Sequence, residues 1–416
     1  MEQVVTLNET QKILTLGWII NGLSGYGDRL DPLRREEMEL LLTERIDQRL
    51  NDSIVQKYIG KWERVWGPFV YLAPPPFNRF ATNAIYVARQ GNQYVIGIAG
   101  TNFKSIHNWF IEDFYVGAQA EWAEYADTKP PGLPPKISLG TKIGLDNLLK
   151  EHPGTKTNII DFFKEQLKEA DEEADEKVDK VEIVVTGHSL GGALSPVLAL
   201  ALHEKKSTWD PNSRAKLKVF PFAGPTPGNL AFAIYYDLRL GINTTRVWNN
   251  LDIVPHAWNQ EMLKKIPTLY EPEIPSNPLI EWYVNIGKFL SLLGTYTNVK
   301  ALTPALEGEF RPPVPAETSQ TSSKQVELNV QLSESLKSAL TANEELSVSD
   351  EVKEGFNKFM AQALEQHIAA YFDLLDFPTE LKEFLLTPLS ASADPEATES
   401  LITKLLEYSA NPDVAH

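Results

Sequence analysis

A short apolar run, Val181–Val185, leads into Gly187-His188-Ser189-Leu190-Gly191, and an Ala/Leu-rich stretch then continues to about His203. A strand that is apolar along its whole length is buried on both faces, as the strands of a parallel sheet are. A G-x-S-x-G turn between such a strand and a helix holds its serine on a sharp, strained bend at the end of the strand. Residues two before and two after that serine must be small, and Gly187 and Gly191 meet the requirement. Gly192 and Ala193 let the following helix pack closely, and its N-terminus turns a positive dipole end toward the serine. Ser189 therefore reads as a nucleophile. His188 shares its turn, so the ring is expected to point away and pack beneath the bend rather than act as the base.

The surrounding pattern agrees with a layered α/β chain. Residues 34–59 read as one helix, with Met38, Leu42, Ile46, Leu50 and Ile54 every four residues. Three prolines within Ala73–Phe77 break the chain. Ala84–Arg89 and Gln93–Ile98 then read as a hairpin about Gly91. Helical stretches follow at Gly140–Lys150 and Thr157–Leu167, parted by Pro153-Gly154. Lys216–Phe222 and Thr245–Asn249 read as strands with a helix near Asn229–Asp237 between them; Pro221, lacking an N–H, belongs at a strand end or a bulge. The alternation predicts a mostly parallel sheet with helices on both faces.

Composition narrows the partners. Fifty-six acids against 39 bases give the 416 residues a formal charge of −17, which argues against nucleic acid and strongly anionic membranes. There is no cysteine, so thiolate chemistry and disulfides are excluded. The acidic stretch 168–180 lacks the spacing and turn glycine of a calcium loop and reads as a solvated helix end. No apolar run is long enough to span a bilayer. Ile13–Leu23, interrupted by Asn21, lacks a basic flank and a small-x-small cleavage site; it reads as a core segment rather than a signal peptide, which points to the cytoplasm and leaves secretion open to a longer form.

Val184-Val185-Thr186-Gly187-His188-Ser189-Leu190-Gly191-Gly192-Ala193 resembles the nucleophile elbow of the class 3 lipases, the fungal triacylglycerol-lipase type. Other segments follow in that family's order. Ile98-Ala99-Gly100-Thr101 resembles its oxyanion strand, and Asn108-Trp109 with Asp113 its lid region. Phe222-Ala223-Gly224-Pro225 with Gly228-Asn229 resembles the turn after the next strand, and Asp252-Ile253-Val254-Pro255-His256 the segment carrying the acid. Ala99 departs from the family's usual arginine, and Ser138-Leu139-Gly140-Thr141 from its His-x-Gly-Phe. The likeness spans about residues 80–260 plus a C-terminal histidine. It implies an α/β-hydrolase fold and ester hydrolysis with no metal or organic cofactor.

A serine nucleophile needs a neutral imidazole and an orienting carboxylate. Asp252 follows the expected strand 245–249, where a parallel sheet places functional groups. Two histidines lie suitably downstream. His256 is four residues past Asp252, too near for an easy return to the serine; His367, followed by Tyr371, resembles the family's histidine segment and is preferred. It lies 115 residues beyond Asp252, which makes 258–366 a large insertion. The oxyanion hole is assigned to the N–H groups of Leu190 and Thr101. Phe103, Ile106, Trp109 and Phe110 form an amphipathic segment in the lid position. For Leu279–Tyr296 three roles stay open: cover, acyl-pocket wall or plain core.

The expected organisation is an N-terminal helical segment 1–72, a catalytic domain 73–375 and a helical extension 376–416. The expected substrate is a lipid-like ester met at a lipid–water interface. Phospholipase A1, galactolipase or feruloyl-type esterase activity is the alternative, and a non-catalytic lipase-like binding module a more distant one.

Overall fold

A computed structural model describes residues 6–23, 35–72, 81–100, 116–128, 130–172, 180–311 and 349–387. The chain enters through helix α1 (Glu9–Ile19), closed at its start by a capping box between Asn8 and Gln11. Helices α2 (Arg35–Asn51) and α3 (Ser53–Ile59) follow. The single helix expected over 34–59 is thus two: Asp52 leaves helical geometry and its carboxylate caps the Ile54 N–H, starting a new helix. The apolar spacing survives the break, so periodicity alone does not reveal it.

Strand β2 (Ala81–Gln90) pairs antiparallel with both β1 (Glu63–Leu72) and β3 (Gln93–Ile98). The expected hairpin about Gly91 is β2–β3. β1 was not foreseen: it is a sheet strand at the end of the segment 1–72 expected to be helical. Beyond β3 the sheet turns parallel, through β6 (Val181–His188) to β7 (Ala215–Phe222). The order is β1-β2-β3-β6-β7, so the sheet is mixed, and its parallel half carries the serine. A small second sheet pairs β4 (Gln119–Glu121), β5 (Lys136–Ser138), β8 (Gly228–Asn229) and β9 (Tyr296–Thr297).

Thr245–Asn249 does not form the expected strand. It runs beside β7 with isolated parallel bridges at Thr244 and Val247. The edge it would complete is broken by Pro221, which sits one residue from the end of β7 and offers a carbonyl, taken by the Val247 N–H, but no donor.

Helices α4 (Leu139–Leu149), α5 (Ile159–Glu172) and α6 (Leu190–Glu204) belong to one core, which includes Leu145, Phe163, Leu194 and Leu198. α1 packs on the other face with α2 and the C-terminal helices. α7 (Leu230–Leu240) follows β8. α8 (Pro278–Ser291) buries Leu279, Ile280, Tyr283 and Val284 in a third cluster with Phe356 and Phe359 of α9 (Asp350–His367), so one face of Leu279–Tyr296 is core. The chain ends in α10 (Ala369–Leu374) and α11 (Thr379–Leu386), which return to α1: the Trp18 indole N–H donates to the Leu385 carbonyl at 3.0 Å. Among the described residues no helix is long and apolar enough to cross a membrane.

Candidate active site

Ser189 has φ 62° and ψ −121°, a conformation that a side-chain-bearing residue holds only when its surroundings enforce it. Both ends of the turn are pinned. The Ser189 N–H donates to the Phe222 carbonyl at 3.0 Å, and the Ala193 N–H to the Ser189 carbonyl at 3.1 Å. A Cβ on Gly187 would lie 2.6 Å from the Gly191 backbone, and one on Gly191 only 2.2 Å from the Ile98 carbonyl oxygen. The need for small residues is thus literal: β3, β6 and α6 meet there backbone to backbone. Leu190 is the first residue of α6, so its N–H is among those with no intrahelical acceptor.

Asp252 is fully buried just beyond the extended stretch beside β7. Its carboxylate accepts three hydrogen bonds: Oδ1 from the Val254 N–H at 3.0 Å, and Oδ2 from His367 Nδ1 and the Tyr371 hydroxyl, each at 2.8 Å. The contact with Oδ2 keeps the proton on Nδ1 and makes Nε2 the acceptor nitrogen of the ring. Burial and the Asp252 charge hold the Tyr371 hydroxyl well above its ordinary pKa, so it stays a donor. His256 takes a different part. Its Nδ1 lies 2.8 Å from the backbone carbonyl of Asp252, and burial lowers its pKa.

The serine and histidine halves are joined through His188. Its Nε2 lies 2.8 Å from the His367 carbonyl oxygen, and the two rings are 4.6 Å apart. The His188 ring also meets Trp18 and Tyr371 edge to face, beneath the turn. Full burial and the neighbouring His367 hold its pKa well below the ordinary histidine value.

Two contributors were missed in the sequence. The Asn249 side chain donates to the Gln366 carbonyl at 3.1 Å and to its side-chain oxygen at 2.8 Å, while its backbone N–H donates to the Tyr371 hydroxyl at 3.0 Å. This fully buried amide locks the end of α9, and with it His367, to the Asp252 loop. The Asn21 side-chain oxygen accepts the Gly100 N–H at 2.9 Å and holds the end of the chain beyond β3. The only signal for Asn21 was a polar residue inside an apolar run; Asn249 gave none. Thr101, Phe103, Ile106, Trp109 and Phe110 lie outside the described residues, as do Asn108 and Asp113.

The family model of class 3 lipases matches residues 135–262, a span that holds both Ser189 and Asp252. The crystal structure of M37 lipase superposes with a TM-score of 0.67 at 29% identity, over 91% of this chain and 98% of that one. Residues 135–262 thus match the class 3 lipase family. The chain's fold is that of an α/β-hydrolase. The lipase of Rhizomucor miehei is 30% identical over 180 residues, 42% of this chain and 41% of that protein. The chloroplastic phospholipase A1-Igamma3 of Arabidopsis thaliana is 41% identical over 145 residues, 31% and 27% of the two chains. The lipase of Rhizopus niveus is 39% identical over 76 residues, 18% of each. The chain thus matches less than half the length of each of these curated relatives. The histidine segment lies outside the span matched by the family model.

Proposed function

We propose that the chain hydrolyses carboxylic esters of lipids through an acyl-enzyme on Ser189, with His367 as general base and acid and Asp252 as its orienting carboxylate. The observation that carries this reading is the 2.8 Å contact between His367 Nδ1 and Asp252 Oδ2, on a histidine whose backbone is tied to the residue before Ser189. His367 Nε2 takes the Ser189 hydroxyl proton as Oγ attacks the ester carbonyl carbon. The tetrahedral oxyanion is held by the N–H groups of Leu190 and Thr101 at the positive end of α6. Collapse of that intermediate expels the alcohol, which leaves with the proton from His367. Water then attacks the acyl-enzyme by the same route, and the fatty acid departs.

Triacylglycerol is the leading substrate class, given the likeness to lipases. Phospholipid sn-1 ester cleavage is the second reading, favoured by the 41% identity to a phospholipase A1. In the first reading Phe103, Ile106, Trp109 and Phe110 cover the site in water and open at an interface, since each large apolar side chain gains about 1.5–3 kcal/mol on full burial. The test is covalent labelling by an organophosphonate with peptide mapping, followed by turnover of emulsified triacylglycerol and phosphatidylcholine. Label on Ser189 with triacylglycerol turnover supports the leading reading. Label elsewhere, or none, defeats the assignment; turnover of phosphatidylcholine alone moves it to the second.

A further inference from the structure

His367 is the last residue of α9, and Tyr371 lies in the first turn of α10. Between them Ile368 leaves helical geometry, with φ −115° and ψ −81°. Both side chains nonetheless reach one atom, Asp252 Oδ2, at 2.8 Å each. Two helices that meet at a one-residue joint keep such a double contact only while the angle between them is held.

The segment 306–311 supplies a hold from outside the joint. On one side it lies along the loop that carries the acid. The Leu306 N–H donates to the Trp248 carbonyl at 2.7 Å, the Asn250 N–H to the Leu306 carbonyl at 3.1 Å, and the Gly308 N–H to the Asn250 side-chain oxygen at 2.8 Å. The fit is close, since a Cβ on Gly308 would lie 2.3 Å from Asn249 Oδ1. On the other side the Gln366 amide donates to the Glu309 carbonyl at 2.6 Å. Arg311 follows, and its guanidinium Nη1 donates to the Glu365 carboxylate on α9 at 3.3 Å and to the Asp373 carboxylate on α10. These two carboxylates stand on opposite sides of the joint. Arg311 therefore spans it, from a backbone seated against the Asp252 loop. Stability is a poor account of this arrangement. The side chains of Arg311, Glu365 and Asp373 are 25%, 42% and 35% exposed, and ion pairs that open to water add little to folding. Fixing an angle needs instead two anchors on two rigid bodies, and the planar donor fork of a guanidinium holds two carboxylates in a set geometry.

We infer that Arg311 is a positioning residue for His367: by tying α9 and α10 to the acid loop, it fixes where the imidazole Nε2 points. The inference rests on the proposed roles of Ser189, His367 and Asp252, and it gives part of the insertion 258–366 a share in catalysis. Arg311 acts through the histidine and contacts none of the reacting groups.

The experiment uses the full chain and a soluble short-chain ester, with active sites counted by titration with a chromogenic organophosphonate. Turnover is expressed per titrated site, well below the melting temperature, so that unfolded protein does not enter it. Arg311→Ala should lower kcat per site about tenfold, since misplacing a catalytic group by about 1 Å costs up to about 100-fold and the Asn249 contacts limit the slip. KM should stay within about twofold. The rate constant for phosphonylation of Ser189 should fall in step with kcat. Arg311→Lys keeps the charge without the fork and should recover part of the loss. Glu365→Ala cuts the bridge on the α9 side and should lower kcat per site about threefold. Lys382→Ala is the control: Lys382 on α11 pairs with Asp373 without spanning the joint, so kcat per site should stay within about twofold of the parent. Turnover per site within about twofold of the parent in Arg311→Ala overturns the inference, even where fewer sites titrate or the melting temperature falls, because the bridge then only stabilises. Equal losses in Arg311→Ala and Lys382→Ala overturn it too, by reducing the effect to neutralising Asp373. If Arg311→Ala does not fold, Glu365→Ala decides by the same reading. A parent that takes no label on Ser189 defeats the catalytic reading and leaves Arg311 nothing to position; a labelled parent indifferent to Arg311→Ala defeats this inference alone.

Discussion

The two halves of the candidate site are built in opposite ways. The serine half is one contiguous strand, turn and helix, from Val181 to Glu204, and its geometry follows from the small residues of the turn. The histidine half is assembled from a loop at Asp252, the last residue of α9 and the first turns of α10, parts separated by more than a hundred residues. What a continuous segment specifies by local sterics, the other half must specify by hydrogen bonds between distant parts. The first therefore resists perturbation elsewhere in the chain, and the second depends on it.

The largest effect expected is on the serine. Ser189→Ala should lower kcat about 10⁴- to 10⁶-fold, while the melting temperature stays within error because the turn keeps its backbone pins. Residual turnover of more than a few per cent would falsify the role of Ser189. The histidine half is tested by a pair. His367→Ala should approach the serine variant in inactivity, whereas His256→Ala, whose ring meets the Asp252 backbone carbonyl and the Trp248 ring, should cost at most about tenfold. Kinetics in which these two outcomes are exchanged would place the insertion 258–366 after the site instead of within it.

A smaller effect sharpens the contrast directly. Asn249→Ala removes two side-chain hydrogen bonds to Gln366 and leaves their partners buried. It should cost about 2–3 kcal/mol of stability and lower kcat about 10- to 100-fold by loosening His367, yet leave phosphonate labelling of Ser189 measurable. Loss of activity only in proportion to unfolded protein would show that Asn249 stabilises without positioning.

The smallest effect is on stability against pH. His188 is buried and its folded-state pKa is depressed, so in acid the unfolded chain binds a proton that the folded chain refuses. Stability should therefore fall as pH drops below the unfolded value near 6.5, at about 1.4 kcal/mol per pH unit for this site, until the folded pKa is reached. Above that value it contributes no pH dependence. His188→Phe should make the denaturation midpoint less steep against pH between about 6 and 5; an unchanged slope would mean that another group, such as His256, dominates.

Much of the parallel half of the sheet could be read from residue pattern, because buried strands and their return helices leave continuous marks: Val181–Val185 and the helix after Ser189 are both found as expected. The errors share a cause. Asp52 divides a helix without disturbing its apolar rhythm, and Pro221 spoils an edge for the neighbouring segment 245–249 rather than for its own strand. β1 is rich in strand-forming residues (Val65, Trp66, Phe69, Val70, Tyr71), but Gly67-Pro68 interrupts the run and its partner lies beyond a proline-rich break. Asn21 and Asn249 serve partners 79 and more than 100 residues away, and a side chain whose work is long-range leaves no periodicity to detect.

The meeting of the two ends of the described chain beneath the elbow has a consequence for biosynthesis. Trp18 on α1 reaches Leu385, the Gln11 amide reaches the Leu375 carbonyl, and the Arg49 guanidinium holds the Thr387 carbonyl. A ribosome makes Ser189 with its strand and helix well before His367 and the segment that clamps it. On the proposed assignment the growing polypeptide thus carries an unarmed nucleophile until that segment is made, and ester-cleaving competence arrives only after α11 has cleared the exit tunnel. Stalled nascent chains ending before His367 should fail to react with a serine-directed phosphonate, whereas the released full-length chain should label. Early labelling would show that the serine needs no partner from the far end.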